Sequence, residues 1–418
     1  MKQVLMIAFH YPPMRASSGF QRTLRFVESL PESGWLPSVL TAHPRAYPGR
    51  VTAPAREGGA PGEIRVRRAF ALDAARHLSV FGRYPQWLST PDRWWTWWLG
   101  AVPAGLAMIR ESKPDVLWST YPIATAHVIG QALHEITGIP WVADFRDPMA
   151  QDGYPPEPAL HRAFERIERK TLEQCARAVF TTRGARRLYA ERYPHLPPER
   201  LVVIENGYDE AAFAAATGSG PGAGAQRGAQ DGPVVLVHSG TIYASERDPR
   251  PFFAALAALK TSGRIGPQSL RIVLRATGCD DWLRGLLAPL RLEDIVVLAP
   301  PVGYGEALAE MLAADGLLIL QAANCNHQVP AKLYEYFRAR RPILALTDPA
   351  GDTAHALVEA GIDTIAPLDA QALIERQLVR FLELVRDGRA PVAGEARIAA
   401  ASRRARTVEL ARELEAVS

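Results

Sequence analysis

Short apolar runs recur along the chain with room for a helix between one and the next. In the first half they are VLMIAF (4–9), PSVLTA (37–42), DVLWST (115–120), PWVADF (140–145), AVFTT (178–182) and LVVIEN (201–206). Runs of this type alternating with helical patterns predict a parallel sheet covered by helices on both faces. The rhythm restarts with VVLVHSG (234–240), LRIVLRA (270–276), IVVLAP (295–300), GLLILQ (316–321) and PILALT (342–347), which predicts a second doubly wound domain. In the tail, Leu410, Leu414 and Val417 recur at helical spacing and predict a closing helix.

Between the two series, residues 214–232 (AAATGSGPGAGAQRGAQDG) contain no Val, Ile, Leu, Met or aromatic residue, so they have nothing to bury and read as a linker. The expected organisation is a Rossmann-like N-terminal domain over 1–213, a linker over 214–232, a second Rossmann-like domain over 233–394 and a closing helix over 395–418. A chain of 418 residues is too long for one ordinary core, which supports two domains. Two such domains are expected to face each other across a cleft at the carboxyl ends of their strands, where ligands bind in these folds.

Composition narrows the function. With 48% hydrophobic and 22% charged residues the chain is globular, and a formal net charge of +4 argues against a nucleic-acid partner, which needs a concentrated basic stripe. Cys175, Cys279 and Cys325 are far apart and form no metal or disulfide pattern. The opening MKQVLMIAFHYPP has a short apolar run broken at His10, so it reads as a first strand rather than a leader, and no segment is apolar enough to cross a bilayer. A cytoplasmic location is expected.

One region breaks the rhythm. From about 45 to 98 the chain carries RAYPGRVTAPAREGGAPGE and then an aromatic stretch with four tryptophans between Trp94 and Trp98. Seven arginines against four acids between Arg56 and Arg93 give this insertion the composition of an interfacial element, with peripheral contact at an anionic membrane face; a packed insertion is the alternative.

Candidate chemistry concentrates in QVPAKLYEYFRARRPILAL (328–346), where Pro330 opens a helix over 330–339. Leu333, Tyr336 and Phe337 would face the core, leaving Lys332 and Glu335 three residues apart on the other face. On spacing alone this is a solvated ion pair. Placed after GLLILQ, however, the helix N-terminus suits a diphosphate held by its amides and Lys332, with Glu335 accepting from a ribose diol. WVADFRDPM (141–149) ends a strand with Asp144, Arg146 and Asp147; a structural salt bridge is the alternative to a cleft-facing role. No D-x-D triplet or zinc spacing occurs, and no metal is expected.

VPAKLYEYFRARRPIL (329–344), LVHSGTIYASERDP (236–249), VVIENGYDE (202–210) and FHYPPMRASSGFQR (9–22) resemble glycosyltransferase family 4, retaining enzymes of the GT-B fold. The resemblance spans almost the whole chain. It implies a nucleotide-diphosphate-sugar donor held by the C-terminal domain, a glycan or lipid-linked saccharide acceptor held by the N-terminal domain, and no cofactor. Glu335 matches the ribose-binding glutamate, and Lys332 and Pro330 lie in the phosphate-facing turn. Eight positions before Glu335, where many members have a second glutamate, stands His327, with a donor-sugar contact and a solvated loop residue as its two readings. After the first strand of the second domain, Gly240 and Arg247 are implied at the diphosphate, with Thr241 in place of a first arginine; an Arg247–Asp248 surface cluster is the alternative. Ser18 and Gly19 match a glycine-rich loop beside the reacting carbon. Arg146 and Asp147 stand where relatives have His then Asp, and with Asp144 and His10 they are implied in acceptor binding and catalysis. Rival readings are a nucleotide-sugar 2-epimerase of the same fold and a catalytically impaired nucleotide-sugar-binding partner subunit.

Overall fold

The computed structural model of the protein describes residues 1–14, 18–47, 64–79, 81, 83–151, 153–217 and 232–418. The chain forms two compact units, Met1–Asn206 with Arg403–Ser418, and Gly207–Ser402.

The first unit is built on β1 (Lys2–Ile7), β2 (Trp35–Ala42), β3 (Arg65–Ala69), β4 (Val116–Thr120), β5 (Trp141–Arg146), β6 (Arg177–Phe180) and β7 (Leu201–Val203). They pair in parallel in the order β3-β2-β1-β4-β5-β6-β7. Its helices are α1 (Ser18–Ser29), α2 (Ala74–His77), α3 (Trp97–Ser112), α4 (Ala124–Thr137), α5 (Pro158–Gln174) and α6 (Arg183–Arg192). The strands are apolar on both sides because both sides are covered. Leu5 and Ile7 of β1 pack with Leu40, Leu117 and the α3/α4 residues Met108 and Leu133. Val4 and Met6, pointing the other way, pack with Phe26 and Trp118.

In the second unit α7 (Glu210–Thr217) precedes β8 (Val234–Ser239), α8 (Arg250–Thr261), β9 (Leu270–Arg275), α9 (Asp280–Leu287), β10 (Val296–Ala299), α10 (Tyr304–Ala313), β11 (Gly316–Leu320), α11 (Lys332–Ala339), β12 (Ile343–Leu346), α12 (Asp352–Glu359), β13 (Ile365–Ala366), α13 (Gln371–Arg386) and α14 (Glu395–Ala400). The order β10-β9-β8-β11-β12-β13 repeats the doubly wound pattern. In each sheet the winding reverses once, between β1 and β4 and between β8 and β11, and the carboxyl ends of those strands mark the ligand-binding position of such a sheet.

Every apolar run singled out above is a strand, within one to three residues at its ends. Two strands carry no apolar run. β3 is RVRRA, an edge strand whose arginines reach outward to Glu111, and β13 is only two residues long. The compositional linker begins earlier than the chain's real change of structure permits: residues 214–217 are the last turn of α7, which buries Phe213 and Ala216 against Tyr208 in the second unit. The units therefore divide at Asn206/Gly207; residues 218–231 of the expected linker lie outside the described residues. The single closing helix expected over 395–418 is two helices. α14 belongs to the second unit, and α15 (Arg403–Glu415) returns to the first, burying Leu410 and Leu414 beside Val4 and Met6.

The aromatic insertion is largely packed. Trp97 is fully buried, Trp94 donates to the Ala46 carbonyl at 3.0 Å and Trp95 to the Leu88 carbonyl at 2.8 Å. Its arginines are also spent locally: Arg65 and Arg67 on Glu111, Arg93 on Asp73, Arg68 and Arg76 on backbone carbonyls. Phe81 and Trp87 remain exposed, and residues 48–63, 80 and 82 lie outside the described residues. Among the described residues no helix is long and apolar enough to cross a membrane.

Gly130 of α4 shows how tightly this unit is filled: a Cβ there would lie 2.7 Å from the Trp141 indole nitrogen. Gly130→Ala is expected to lower the unfolding free energy by about 1–3 kcal/mol, measured by urea denaturation; an unchanged midpoint would mean that the indole moves aside at no cost.

Candidate functional site

The switch point of the second unit collects most of the residues singled out from the sequence. His238, fully buried, is the next-to-last residue of β8, and β11 leads through a loop to Lys332, the first residue of α11. That loop is held from within. Gln321, buried at its start, donates to the carbonyls of Cys325 and Gln328 at 2.9 Å each, and Asn326 donates to Asp348 at 2.7 Å. It is also tied to the loop after β8, because Ala322 N donates to the Glu246 carbonyl at 2.7 Å and Asn324 to the Ser245 carbonyl at 2.9 Å. The two loops that carry Arg247 and Lys332 are thus fastened to each other.

Lys332 Nζ lies 3.2 Å from His238 Nε2. The other ring nitrogen, Nδ1, is 2.9 Å from the Leu318 carbonyl, which can only accept, so Nδ1 carries the proton and Nε2 accepts from the lysine. Burial, with Lys332 and Arg247 nearby, holds the His238 pKa well below the usual histidine range and keeps the ring neutral. Burial also pushes the lysine pKa down to about 7, reinforced by Arg247 and opposed by Glu335. Gly240, whose φ of +113° favours glycine, lies beside this pair: a Cβ there would be in ordinary contact with Lys332 Nζ at 3.5 Å.

Arg247 donates through Nη1 to the Thr241 carbonyl, and its guanidinium lies 5.4 Å from the centre of the Tyr243 ring. The alternative of an Arg247–Asp248 cluster is not what forms, since Asp248 is taken by Arg250 at 2.5 Å. Nor do Lys332 and Glu335 form a helical ion pair. Lys332 turns to His238, while Glu335 accepts from Tyr304 Oη at 2.8 Å. The helix itself starts at Lys332 rather than Pro330, whose carbonyl accepts from Leu333 N at 2.9 Å in the preceding turn. Its N-cap, Ala331, supplies no side-chain cap, so the amides of the first turn are not satisfied by a capping side chain. Leu333, Tyr336 and Phe337 are fully buried, as their spacing implied. His327 is exposed in the turn before α11.

The result is two cations, Arg247 and Lys332, neither in an ion pair among the described residues, at a helix N-terminus, with one carboxylate further along the same helix. Such a cluster can hold an anion as large as a diphosphate. His238 and Tyr304 were not singled out from the sequence. His238 sits in the quoted LVHSGTIY, where strand alternation alone gives no cue that it faces Lys332; Tyr304 carries no signal at all.

In the first unit the predicted residues divide. Asp144 is fully buried, and its two oxygens accept from Arg22 at 2.9 and 3.1 Å and from Thr120 Oγ1 at 2.8 Å. A carboxylate sealed from solvent and paired in this way does not reach an acceptor, so the expected acceptor-binding role is corrected to that of a buried structural ion pair with a residue the sequence did not point to. Arg146, in contrast, is buried without an ion pair at φ +60°, just past a register shift between β5 and β6. His10 shares a recess with it, and burial together with the Arg146 charge lowers the histidine pKa to about 4. Burial raises the Asp147 carboxyl. Ser18 and Gly19 begin α1, but residues 15–17 and the side-chain surroundings of both lie outside the described residues.

Residues 20–207 match the glycosyl transferase 4-like domain family. A D-inositol 3-phosphate glycosyltransferase from Kineococcus radiotolerans is 30% identical over 212 residues, covering 46% of this chain and 46% of that protein, so the chain spans about half the length of this relative. Over all of both chains it resembles sucrose-phosphate synthase from Thermosynechococcus elongatus (TM-score 0.67, 16% identity) and Anabaena HepE in complex with UDP (TM-score 0.62, 12% identity). The α,α-trehalose 6-phosphate synthase from Burkholderia multivorans matches with a TM-score of 0.64 and 14% identity, over 100% of this chain and 97% of that one.

The Lys332 pKa near 7 has a direct consequence. An anion on the site favours the ammonium form, so nucleoside diphosphate affinity is expected to be greatest below about pH 7 and to fall towards tenfold per unit as pH rises from 7.5 to 9. Isothermal titration with UDP reads this slope, and Lys332→Arg, which stays charged throughout, should flatten it; an equal slope in both proteins would remove Lys332 from the site. Residues 20–207 thus match a glycosyl transferase 4-like domain, and the whole chain shares the two-domain α/β architecture, the GT-B fold, of its structural neighbours.

Proposed function

We propose that the protein is a retaining glycosyltransferase that moves a sugar from a nucleotide-diphosphate-sugar donor to a glycan or lipid-linked saccharide, as in the synthesis of surface polysaccharides or glycoconjugates. The observation that carries this reading is the pair of cations without carboxylate partners, Arg247 and Lys332, at the start of α11, with Glu335 on the same helix.

In this reading the diphosphate lies against Lys332, Arg247 and the first-turn amides of α11, and Glu335 takes the ribose hydroxyls with Tyr304 beside it. As the bond between the sugar's anomeric carbon and the phosphate oxygen breaks, its electron pair passes to the diphosphate. The guanidinium and the ammonium stabilise the charge that builds there. The acceptor hydroxyl bonds to the anomeric carbon from the same face and gives its proton to the departing phosphate, so no protein nucleophile is required. Neutral His238 contributes by orienting Lys332 rather than by touching the donor; it is a positioning residue. His327 and Gly240 border the same turn, as donor contacts.

The HepE structures hold UDP and UDP-glucose, which makes uridine diphosphate sugars the first donors to test. Among acceptors, the exposed Phe81 and Trp87 of the first unit favour a lipid-linked one presented at a membrane face.

A panel of nucleotide sugars scored by thermal shift should give one donor that stabilises the wild-type protein by mass action. Arg247→Ala and Glu335→Ala are each expected to weaken that donor by about 1.5–3 kcal/mol, or roughly ten- to a hundredfold, as for other hydrogen bonds to charged groups. Unchanged donor affinity and turnover in both variants would sink the assignment. Protein left wholly in the soluble fraction after flotation with anionic liposomes would remove the membrane-face acceptor.

A further inference from the structure

Glu335 is held by a frame that lies outside its own helix. The frame starts at Arg275, the last residue of β9. Its guanidinium donates through Nη1 to the Pro300 carbonyl at 2.7 Å, in the loop after β10, and through Nε and Nη2 to the two oxygens of Glu310 on α10 at 2.5 and 2.6 Å. A two-pronged pair of this kind fixes an orientation as well as a distance. Glu306 ties the same helix at its beginning, accepting from Gly303 N at 2.9 Å. On its inner side α10 buries Leu308 and Met311 in one core with Leu333, Tyr336 and Phe337 of α11. Tyr304, the first residue of α10, is therefore set at a fixed place relative to α11, and its Oη donates to Glu335 Oε1 at 2.8 Å.

Folding alone gives little reason for this bond. Tyr304 is 39% exposed and Glu335 is half-buried, so water reaches both, and the bond is not needed to spare the fold a buried, unsatisfied group. The cations one turn to either side of Glu335 on α11 are directed elsewhere, Lys332 to His238 at 3.2 Å and Arg338 to Glu210 at 2.5 Å. Tyr304 meets the carboxylate with a phenol, a donor that orients it without cancelling its charge.

The geometry of a carboxylate shows what an orienting donor supplies. A glutamate turns about three torsions, the last of them broad and two-fold, so an untethered carboxylate is spread over many orientations. A ribose offers two neighbouring hydroxyls and needs an acceptor already turned toward both. One phenolic donor on Oε1 takes one of about four lone-pair positions on the group and stops its rotation. The entropy of ordering the side chain is then lost on folding rather than on binding, which is the gain of preorganisation.

We propose that Tyr304 is a positioning residue that sets the preference of this site for ribonucleotides over deoxyribonucleotides, by holding the Glu335 carboxylate in the orientation that accepts the 2′- and 3′-hydroxyls. The proposal rests on the reading above that Glu335 takes the ribose. Tyr304 acts through Glu335 and not on the base or the phosphates.

The test compares the affinities of UDP and 2′,3′-dideoxy-UDP, and of the corresponding guanosine pair, by isothermal titration. It uses the wild-type protein, Tyr304→Phe, Glu335→Ala and the double variant, with the thermal unfolding midpoint of each. The wild-type protein is expected to prefer the ribonucleotide by about tenfold or more, as for hydrogen bonds to a charged group. Tyr304→Phe should lower ribonucleotide affinity roughly two- to tenfold, the effect of ordering one side chain on binding, and leave the dideoxy affinity and the midpoint unchanged. Glu335→Ala should abolish the preference, and Tyr304→Phe added to it should change nothing further. A Tyr304→Phe protein that keeps wild-type affinity for both ligands, or loses affinity for both equally, would overturn the proposal and leave the ribose on Glu335. Glu335→Ala with the wild-type preference, or no binding of either ribonucleotide to the wild-type protein, would overturn the donor reading and the proposal with it.

Discussion

A buried cation is available to a ligand only if the protein has not already given it a carboxylate, and this constraint sorts the charged residues of both units. Arg22 is matched to Asp144, Arg93 to Asp73 and Arg192 to Glu168. These pairs hold loops and strands in place. Lys332 and Arg247 are held instead by an imidazole and by a backbone carbonyl, partners that fix a position without cancelling a charge. Both lie beyond the carboxyl ends of parallel strands at a reversal of winding, where the fold leaves a crevice by construction. The distribution of counter-charges, rather than the count of basic residues, marks out where an anion belongs; the net charge of +4 gives no hint of it.

Much of the architecture was legible in the sequence because parallel strands buried on both faces must be continuous apolar runs, and few other structures demand that pattern. What escaped was structure that does not depend on burial. β3 survives with three arginines because one of its edges faces outward, and its charges also discourage pairing with another strand. The segment after Asn206 was misassigned because a run of alanines has little to bury and reads like linker, yet one phenylalanine, Phe213, suffices to dock the helix.

The site was legible as a set of residues and not as a set of contacts. Lys332, Glu335 and Arg247 could be identified from their order after strands, and Gly240 from its place at the end of one. Their partners could not, because each is supplied from a distant part of the chain: His238 lies 94 positions before Lys332, Tyr304 lies 31 before Glu335, and Arg22 lies 122 before Asp144. Local spacing suggested that Lys332 would pair with Glu335, whereas tertiary packing put a neutral ring closer to the lysine and a phenol closer to the carboxylate. The same reasoning explains Asp144. Three charged residues in WVADFRDPM look equivalent on paper, and only the approach of α1 decides which of them is neutralised.

The return of α15 to the first unit bears on how the protein is made. Residues 207–402 are contiguous and can assemble as soon as they clear the ribosome, but the face of the first sheet that carries Val4 and Met6, covered in part by Phe26 of α1, is completed only once Leu410 and Leu414 have been synthesised. The first unit is thus completed last, with part of one apolar flank of its nascent sheet awaiting the final helix.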